Sequence, residues 1–313
     1  MDGLILVDKP QNFTSHDIVL KTRNILNTKK IGHCGTLDPL ATGLMLLALG
    51  KATRLFPFLS KSDKIYEGSI RLGFATDTYD SAGKPTSAED KNYPPKGYLS
   101  KTMKKFEGDI QQLPPPYSAK KYKGKPLYLL ARGKKEFELR PSKVFVHFFQ
   151  LRKYNPPLLE FKVKCSSGTY VRSLAHDLGQ DLGCGAHLSE LTRTDVGNYN
   201  LKESRTIEEI RGLTEAGKTA EFLIPLESLL PEFPKIILGK RGFILAQNGN
   251  LISPEDIQKV ILDESSTAAV SSQEETVFRM FSLGGKLLAL AKEVPEKHCF
   301  HPFLVIDSEK AKQ

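Results

Sequence analysis

LEFKVKCSSGTYVRSLAHDLGQDLG, residues 159–183, changes its hydrophobic period halfway along. Leu159, Phe161, Val163 and Cys165 alternate with charged residues, the period of two of a half-buried strand. Past the turn at Ser166–Gly168 the spacing lengthens. Val171, Leu174, Ala175, Leu178 and Leu182 then keep one stripe at helical period, which stops at Gly183 and Gly185. Working outward, "LILVDKP" (residues 4–10) is a short strand ending at a proline. "TSHDIVLKTRNIL" (14–26) is a helix opened by Thr14 and Asp17 at capping-box spacing. "LMLLAL" (44–49), short and bounded by glycines, is a buried strand rather than a helix. "YEGSIRLG" (66–73) puts Tyr66, Ile70 and Leu72 on one strand face and Glu67, Ser69 and Arg71 on the other. Strands and helices mixed without regular βαβ alternation point to an α+β fold, not a doubly wound sheet.

From about residue 225 the texture changes. "IPLESLLPEFPKII" (224–237) carries three prolines in ten residues and reads as a linker. Beyond it come short strand-like runs: "PKIIL", "TAAVS", "TVFRMFSL", "KLLALAK" and "PFLVID". Gly284-Gly285 between the third and fourth is a hairpin signal. A chain of 313 residues is too long for one small core, so two domains are expected, 1–230 and a small β-rich 234–313. No apolar run approaches the ~20 residues of a membrane span. The start, "MDGLILVDKP", lacks the pattern of a signal peptide, and a cytoplasmic protein is expected. Cys34, Cys165, Cys184 and Cys299 are scattered, and Cys184 with His187 makes one isolated C-x-x-H. Incidental thiols are expected there, and no metal site.

The formal net charge of +9 is localised. Residues 101–153 hold 14 Lys and Arg against four acids, so that segment nets +10 and the remainder −1. Within it, "LPPPYSAKKYKGKPLYLLARGKK" interleaves Tyr117, Tyr122 and Tyr128 with lysines. Lysines displace counterions from phosphates and aromatic faces stack on bases, so the composition fits nucleic acid as well as a solvated insertion.

"GHCGTLDPLATG" (32–43) presents a single acid, Asp38, on a loop stiffened by glycines and Pro39, directly before the buried "LMLLAL". Asp-Pro is by itself an ordinary turn former. Elsewhere Tyr66 begins a strand, and Tyr170 and Arg172 open the helix after "CSSG". Together they offer an aromatic platform and a guanidinium that can pair with a carboxylate. An adjacent Arg is expected to hold Asp38 ionised by lowering its pKa, as a carboxylate nucleophile requires. "GKAT" (50–53) fails as a phosphate loop, because Met45 and Ala52 stand where Gly and Ser/Thr belong. His33-Cys34 as a thiol nucleophile beside a base has no further support, and His176-Asp177 reads as a surface or packing pair.

Nearly the whole chain resembles the TruB family of bacterial tRNA pseudouridine-55 synthases, the C-terminal part less strongly. The resemblance runs through "LILVDKPQNFTSHDIV", "KIGHCGTLDPLATGLMLLALGKATR", "SDKIYEGSIRLGFATDTYDSAG", "FEGDIQQLPPPYSAKKYKGKPLYLLARG", "CSSGTYVRSLAHDLGQDLGCGAHLSELTRT" and "IPLE". It implies a mixed, mainly antiparallel catalytic sheet with a basic RNA-clamping insertion at about 101–153. It also implies a small β-rich, PUA-like RNA-binding tail, the type shared with archaeosine transglycosylases. By the same resemblance Asp38 is the nucleophile, Arg172 its ion-pair partner and Tyr66 the residue that stacks on the target base. His33 supports the flipped-out nucleotide, Tyr170 and Leu191 line the uridine pocket, and Asp80 lies behind them. One departure is visible: the first block commonly reads KP-x-G, and Asn12 stands at the glycine. Asn is the non-glycine residue that best tolerates a left-handed turn, so the loop is expected to survive.

The implied reaction moves uracil from an N–C to a C–C link on the same C1′. No electron is transferred and no group is lost, so no cofactor is expected and one carboxylate suffices as covalent catalyst. Attack at C6 of the base and departure of the base from C1′ both remain open as routes. The partner expected is tRNA, gripped at the T-arm by a monomer that requires no protein partner. Rival readings are a tRNA-folding module without important turnover, a thiol hydrolase on Cys34, and a guide-RNA-dependent ribosomal version of the same enzyme, against which the bacterial-like blocks and modest tail favour the stand-alone form. Replacing Lys120, Lys121, Lys123 and Lys125 with neutral residues is predicted to weaken tRNA binding. A salt titration of Kd should lose roughly 0.7 to 0.9 of log–log slope per phosphate contact removed.

Overall fold

The computed structural model describes residues 1–117, 121–122, 125–126, 140–262 and 276–307. In chain order the strands of the first part are β1 (Gly3–Lys9), β2 (Ile31–His33), β3 (Thr42–Leu49), β4 (Lys64–Leu72) and β5 (Gly108–Gln112). They continue with β6 (Lys121–Tyr122), β7 (Lys125–Pro126), β8 (Ser142–Asn155), β9 (Leu158–Cys165), β10 (Ala186–Val196), β11 (Tyr199–Asn200) and β12 (Leu223–Pro225). Helices α1 (Ser15–Ile25), α2 (Phe56–Leu59), α3 (Lys96–Lys104), α4 (Val171–Leu182) and α5 (Ile207–Glu215) lie between them. Helix α1 opens with the expected capping box, Thr14 and Asp17 each bonding the other's backbone N–H. Helix α4 stops at Gly183, whose φ of 80° puts it in the left-handed region.

One sheet of ten strands runs β12-β1-β3-β10-β4-β9-β8-β5, with β2 on β3 and β11 on β10. Its pairings are antiparallel except at one join, where β3 and β10 run parallel with Thr42 opposite Thr192 and Gly43 opposite Arg193. That join depends on Gly43. Its φ is +97°, and a Cβ there would lie 2.4 Å from the Arg193 carbonyl oxygen. The mixed, mainly antiparallel α+β architecture agrees with the expectation.

The uninterrupted "LMLLAL" is explained by burial on both faces of β3. Met45, Leu47 and Leu49 join Ile5 and Val7 under α1 and α5, beside Ile18, Val19 and Ile210. Leu44, Leu46 and Ala48 face the opposite way with Leu4 and Leu6. On the far half of the sheet the α4 stripe of Val171, Leu174, Ala175 and Leu178 packs with Ile70, Phe161 and Val163.

A second sheet holds β13 (Lys235–Leu238), β14 (Ile257–Ile261), β15 (Val277–Phe281), β16 (Leu287–Val294) and β17 (Cys299–Val305), in the order β14-β13-β15-β16-β17. Gly284-Gly285 closes β15 onto β16 as the hairpin signal required. Helix α6 (Lys240–Gln247) and β14 were not legible beforehand, and "TAAVS" lies outside the described residues.

Two expectations change. Residues 225–234 are not a loose linker: Leu226, Leu229 and Leu230 are buried in the same cluster as Leu44 and Leu46. Phe281, Leu287, Leu290 and Ile306 of the second sheet complete that cluster, so the C-terminal unit covers one face of β1 and β3. Arg279 on β15 seals it, donating to the carbonyls of Phe233 (2.9 Å) and Leu229 (3.2 Å). Prolines signalled irregular backbone, which is present, but not exposure. Likewise the basic stretch 101–153 is not wholly an insertion. It contains β5 and most of β8, strands of the main sheet, because a run of charge on an exposed strand face looks the same as a charged loop.

Leu229→Ala should destabilise by about 2–5 kcal/mol, the usual range for truncating a fully buried leucine. Urea unfolding followed by circular dichroism should show both sheets lost in one shifted transition, because the cavity lies between them.

Candidate active site

Asp38 stands in the connection between the antiparallel partners β2 and β3, on a loop held at several points. At the start of α1, Ser15 Oγ accepts from the Leu37 N–H (2.8 Å) and donates to the Leu37 carbonyl (3.0 Å). The Asn12 N–H donates to the Pro39 carbonyl at 2.8 Å. Asn12 has a φ of 68°, so it takes the left-handed conformation expected in place of glycine. From β10, the buried Arg193 donates through Nε to the Leu44 carbonyl (2.7 Å) and through Nη2 to the Gly35 carbonyl (3.2 Å). Both ends of the loop are thereby tied to the parallel join.

Arg172, second residue of α4, reaches Asp38 side-on. Its Nη2 donates to Oδ1 at 3.0 Å and its Nε lies 2.9 Å from Oδ2. The same guanidinium donates through Nη1 to Asp80 Oδ2 (3.3 Å) and the Thr78 carbonyl (3.2 Å), and through Nη2 to the Tyr117 carbonyl (3.1 Å). Asp80 is buried, and its other oxygen accepts from Thr78 Oγ1 (2.6 Å) and the Ala82 N–H (3.1 Å). Burial pushes the Asp38 carboxyl above the usual carboxylate range; Arg172 opposes the rise and Asp80 adds to it. The expected lowering is therefore corrected in sign. Although 37% of the Asp38 side chain still meets solvent at the cleft mouth, protein crowds its other sides. Arg172 divides its charge between two carboxylates and does not outweigh that desolvation.

The cleft, about 230 Å³, is lined by Asp38, Tyr66, Tyr170, Arg172 and Leu191, five positions singled out beforehand from four separate segments. Tyr66 is buried at the start of β4. Burial raises its phenol pKa against a hydrogen bond from Arg193, so the ring is a neutral aromatic face at physiological pH. Tyr170 caps α4 and is fixed by Gln112, which accepts from the Tyr170 N–H (2.7 Å) and donates to its carbonyl (3.0 Å). His33 is not brought to the cleft wall. It pairs with Leu47 in the sheet, and burial lowers its pKa. Cys34 is buried with a thiol pushed up to about 12, which removes the thiolate a hydrolase would need. Lys121 and Lys125 lie on the paired strands β6 and β7, while Lys120 and Lys123 fall outside the described residues.

Sequence reasoning missed the buried cations. Lys64 lines the cleft, donates to the carbonyls of Ser60 (2.7 Å) and Ser62 (2.6 Å), and is lowered to about 8 by burial. Lys9 donates to Pro10 and Phe13 and is likewise lowered to about 8 by burial. Arg193 had one available signal, its spacing of two from Leu191 on the same strand.

A carboxylate clamped by a buried arginine, beside an aromatic wall and ringed by inward cations, suits covalent catalysis on an electron-poor ring. The fold has solved counterparts. A protein of an H/ACA ribonucleoprotein bound to a substrate RNA containing 2′-deoxyuridine superimposes with a TM-score of 0.73, over 98% of this chain and 86% of that one, at 24% identity. A chain from a Cbf5–Nop10–Gar1 complex gives 0.71 over 98% and 84%, at 26% identity. The fold is that of a pseudouridine synthase.

Residues 23–171 match the model of the TruB family pseudouridylate synthase N-terminal domain, and residues 172–231 that of the tRNA pseudouridylate synthase B C-terminal domain. The tRNA pseudouridine synthase B of Solibacter usitatus is 45% identical over 80% of this chain and 85% of its own. That of Geotalea uraniireducens is 39% identical over 93% and 92%. The chain belongs to the TruB family of pseudouridylate synthases.

Carbon-13 NMR of labelled aspartate should find the Asp38 carboxyl titrating above the ordinary value of 3.8. In Arg172→Met it should titrate higher still, because the cation that favours the charged form is gone while Asp80 remains.

Proposed function

We propose that the enzyme isomerises uridine to pseudouridine at position 55 in the T-loop of tRNA, with Asp38 as nucleophile on a base flipped into the cleft. The observation that carries the reading is the Asp38–Arg172 pair at the mouth of a cleft walled by Tyr66 and Leu191. Relatives named tRNA pseudouridine synthase B, alike over most of both chains, supply the RNA class. At about 230 Å³ the space is smaller than the roughly 300–1,000 Å³ of drug-sized ligand sites, which suits a single base.

In the reaction the N1–C1′ bond of the uridine breaks and a C5–C1′ bond forms. The proton on C5 leaves and N1 takes one up, so atoms and electrons balance without oxidant, reductant or cofactor. Asp38 enters ionised, held by Arg172 and oriented by the loop that Ser15 and Arg193 fix, and attacks either C6 or the C1′ side. Flipping the uridine costs a few kcal/mol of unstacking, offset in part by stacking on Tyr66. Tyr170 and Leu191 would bound the base, and Asp80 would keep Arg172 in place. His33, set back in the sheet, would meet the RNA beside the flipped nucleotide and not the base itself. Lys120, Lys121, Lys123 and Lys125 would hold the T-arm backbone, and the second sheet would take the RNA beyond it. The protein would act as a cytoplasmic monomer of two domains, 1–230 and 234–313, that share one core cluster.

The test uses a tRNA transcript carrying tritium at uridine C5. Wild type should release tritium and leave one carbodiimide-dependent reverse-transcription stop, in the T-loop. Asp38→Asn should bind the same transcript nearly normally and release none. Turnover by that variant removes Asp38 as the nucleophile, and a stop elsewhere moves the substrate.

A further inference from the structure

Tyr79 has a left-handed backbone, with a φ of 65°, although it is neither glycine nor asparagine. Its two neighbours are the ones that grip the site arginine: the Thr78 carbonyl and the Asp80 carboxylate both accept from Arg172 Nη1. A right-handed residue between them would turn one of the two acceptors away. The turn is fastened on one side to β10, where the Leu188 N–H donates to the Tyr79 carbonyl (3.0 Å) and the Ser81 N–H to the Leu188 carbonyl (2.9 Å). On the other side the Tyr79 ring lies flat on the imidazole of His176, centroids 3.8 Å apart and planes within 12°. His176 sits four residues after Arg172, one turn further along α4. Its Nδ1 is buried with no hydrogen-bond partner among the described residues, and its contact with Tyr79 is the stacked ring face.

We propose that Tyr79 and His176 are positioning residues: their stack binds the 78–80 turn to α4 and thereby holds Arg172 in register with Asp38. This rests on the Asp38 mechanism above, and it gives a use to a histidine that the helical pattern presents as mere packing. Asp38 is the group whose titration reports the clamp. Arg172 faces it from α4, Asp80 from the turn and Lys9 from β1. Asp177 and Asp181 lie on the same helix as His176 and do not touch the Arg172–Asp38 pair.

The experiment compares wild type with His176→Ala, Tyr79→Gly, the double variant and His176→Phe. It reads kcat and KM on the RNA that wild type modifies, melting temperature, and the carbon-13 titration of Asp38. Each single truncation should lower kcat about tenfold with KM within about twofold, since a misplaced reacting group costs rate more than binding. The double variant should be no slower than the worse single one, because both break one device. Asp38 should titrate at higher pH in all three, and His176→Phe, which keeps a flat ring, should restore rate and titration. Unchanged kcat and titration in both single variants overturn the inference, as do losses that multiply in the double variant or a phenylalanine that restores nothing. If His176→Ala does not fold, Tyr79→Gly carries the comparison, since glycine accepts the same backbone. The titration needs no RNA, so the clamp can fail on its own. A wild type that forms no pseudouridine counts against the RNA assignment alone.

Discussion

The guanidinium of Arg172 is the interaction on which the site's geometry depends. A cation this deeply buried is costly unless its donors are satisfied, and its partners come from three different stretches of chain. Asp38 arrives from the β2–β3 connection, Thr78 and Asp80 from the turn after β4, and Tyr117 from the segment after β5. Satisfying one charge therefore brings three loops onto the N-terminus of α4. It also sets the state of the carboxylate. Asp80 stabilises the arginine but competes for it, and the result is an Asp38 whose pKa burial still raises. Such a carboxylate is more basic, and hence a stronger nucleophile once ionised, than one held by an undivided arginine.

Those loops need a rigid frame, which the parallel join of β3 to β10 provides. Gly43 allows the two backbones to approach, and Arg193 uses the same point to hold the carbonyls of the Asp38 loop. Around the join the sheet is covered twice, by α1 and α5 on one side and by the second sheet on the other. The C-terminal unit is thus part of the support of β1 and β3. Leu226, Leu229 and Leu230 turn a proline-rich connection into core, with Arg279 satisfying the carbonyls that the prolines leave without regular partners.

What could be read beforehand follows from local physics. Period two gave β4 and β9, the helical stripe gave α4, the capping box gave α1, and the double-glycine gave the β15–β16 turn. Asp38, Tyr66, Tyr170 and Arg172 could be singled out as a lone loop acid, two aromatics and a guanidinium. Their assembly could not, because no spacing in the chain encodes contact across 134 residues. Helix α6 and strand β14 were hidden for a related reason: both are short and partly exposed, so neither has a full apolar face.

The sequence by itself determined the kinds of element, the class of fold, the place of the charge and, through its ordered motifs, the family. These depend on residues close in the chain, whose patterns survive without knowledge of neighbours. Tertiary structure alone decided the sign of the Asp38 shift, the burial of Lys9, Lys64 and Arg193, the place of His33 in the sheet and not in the cleft lining, and the use of residues 225–234 as core. Each is a matter of desolvation and of which groups meet in space. Both are set by packing between segments far apart in the chain, and no local pattern carries that information.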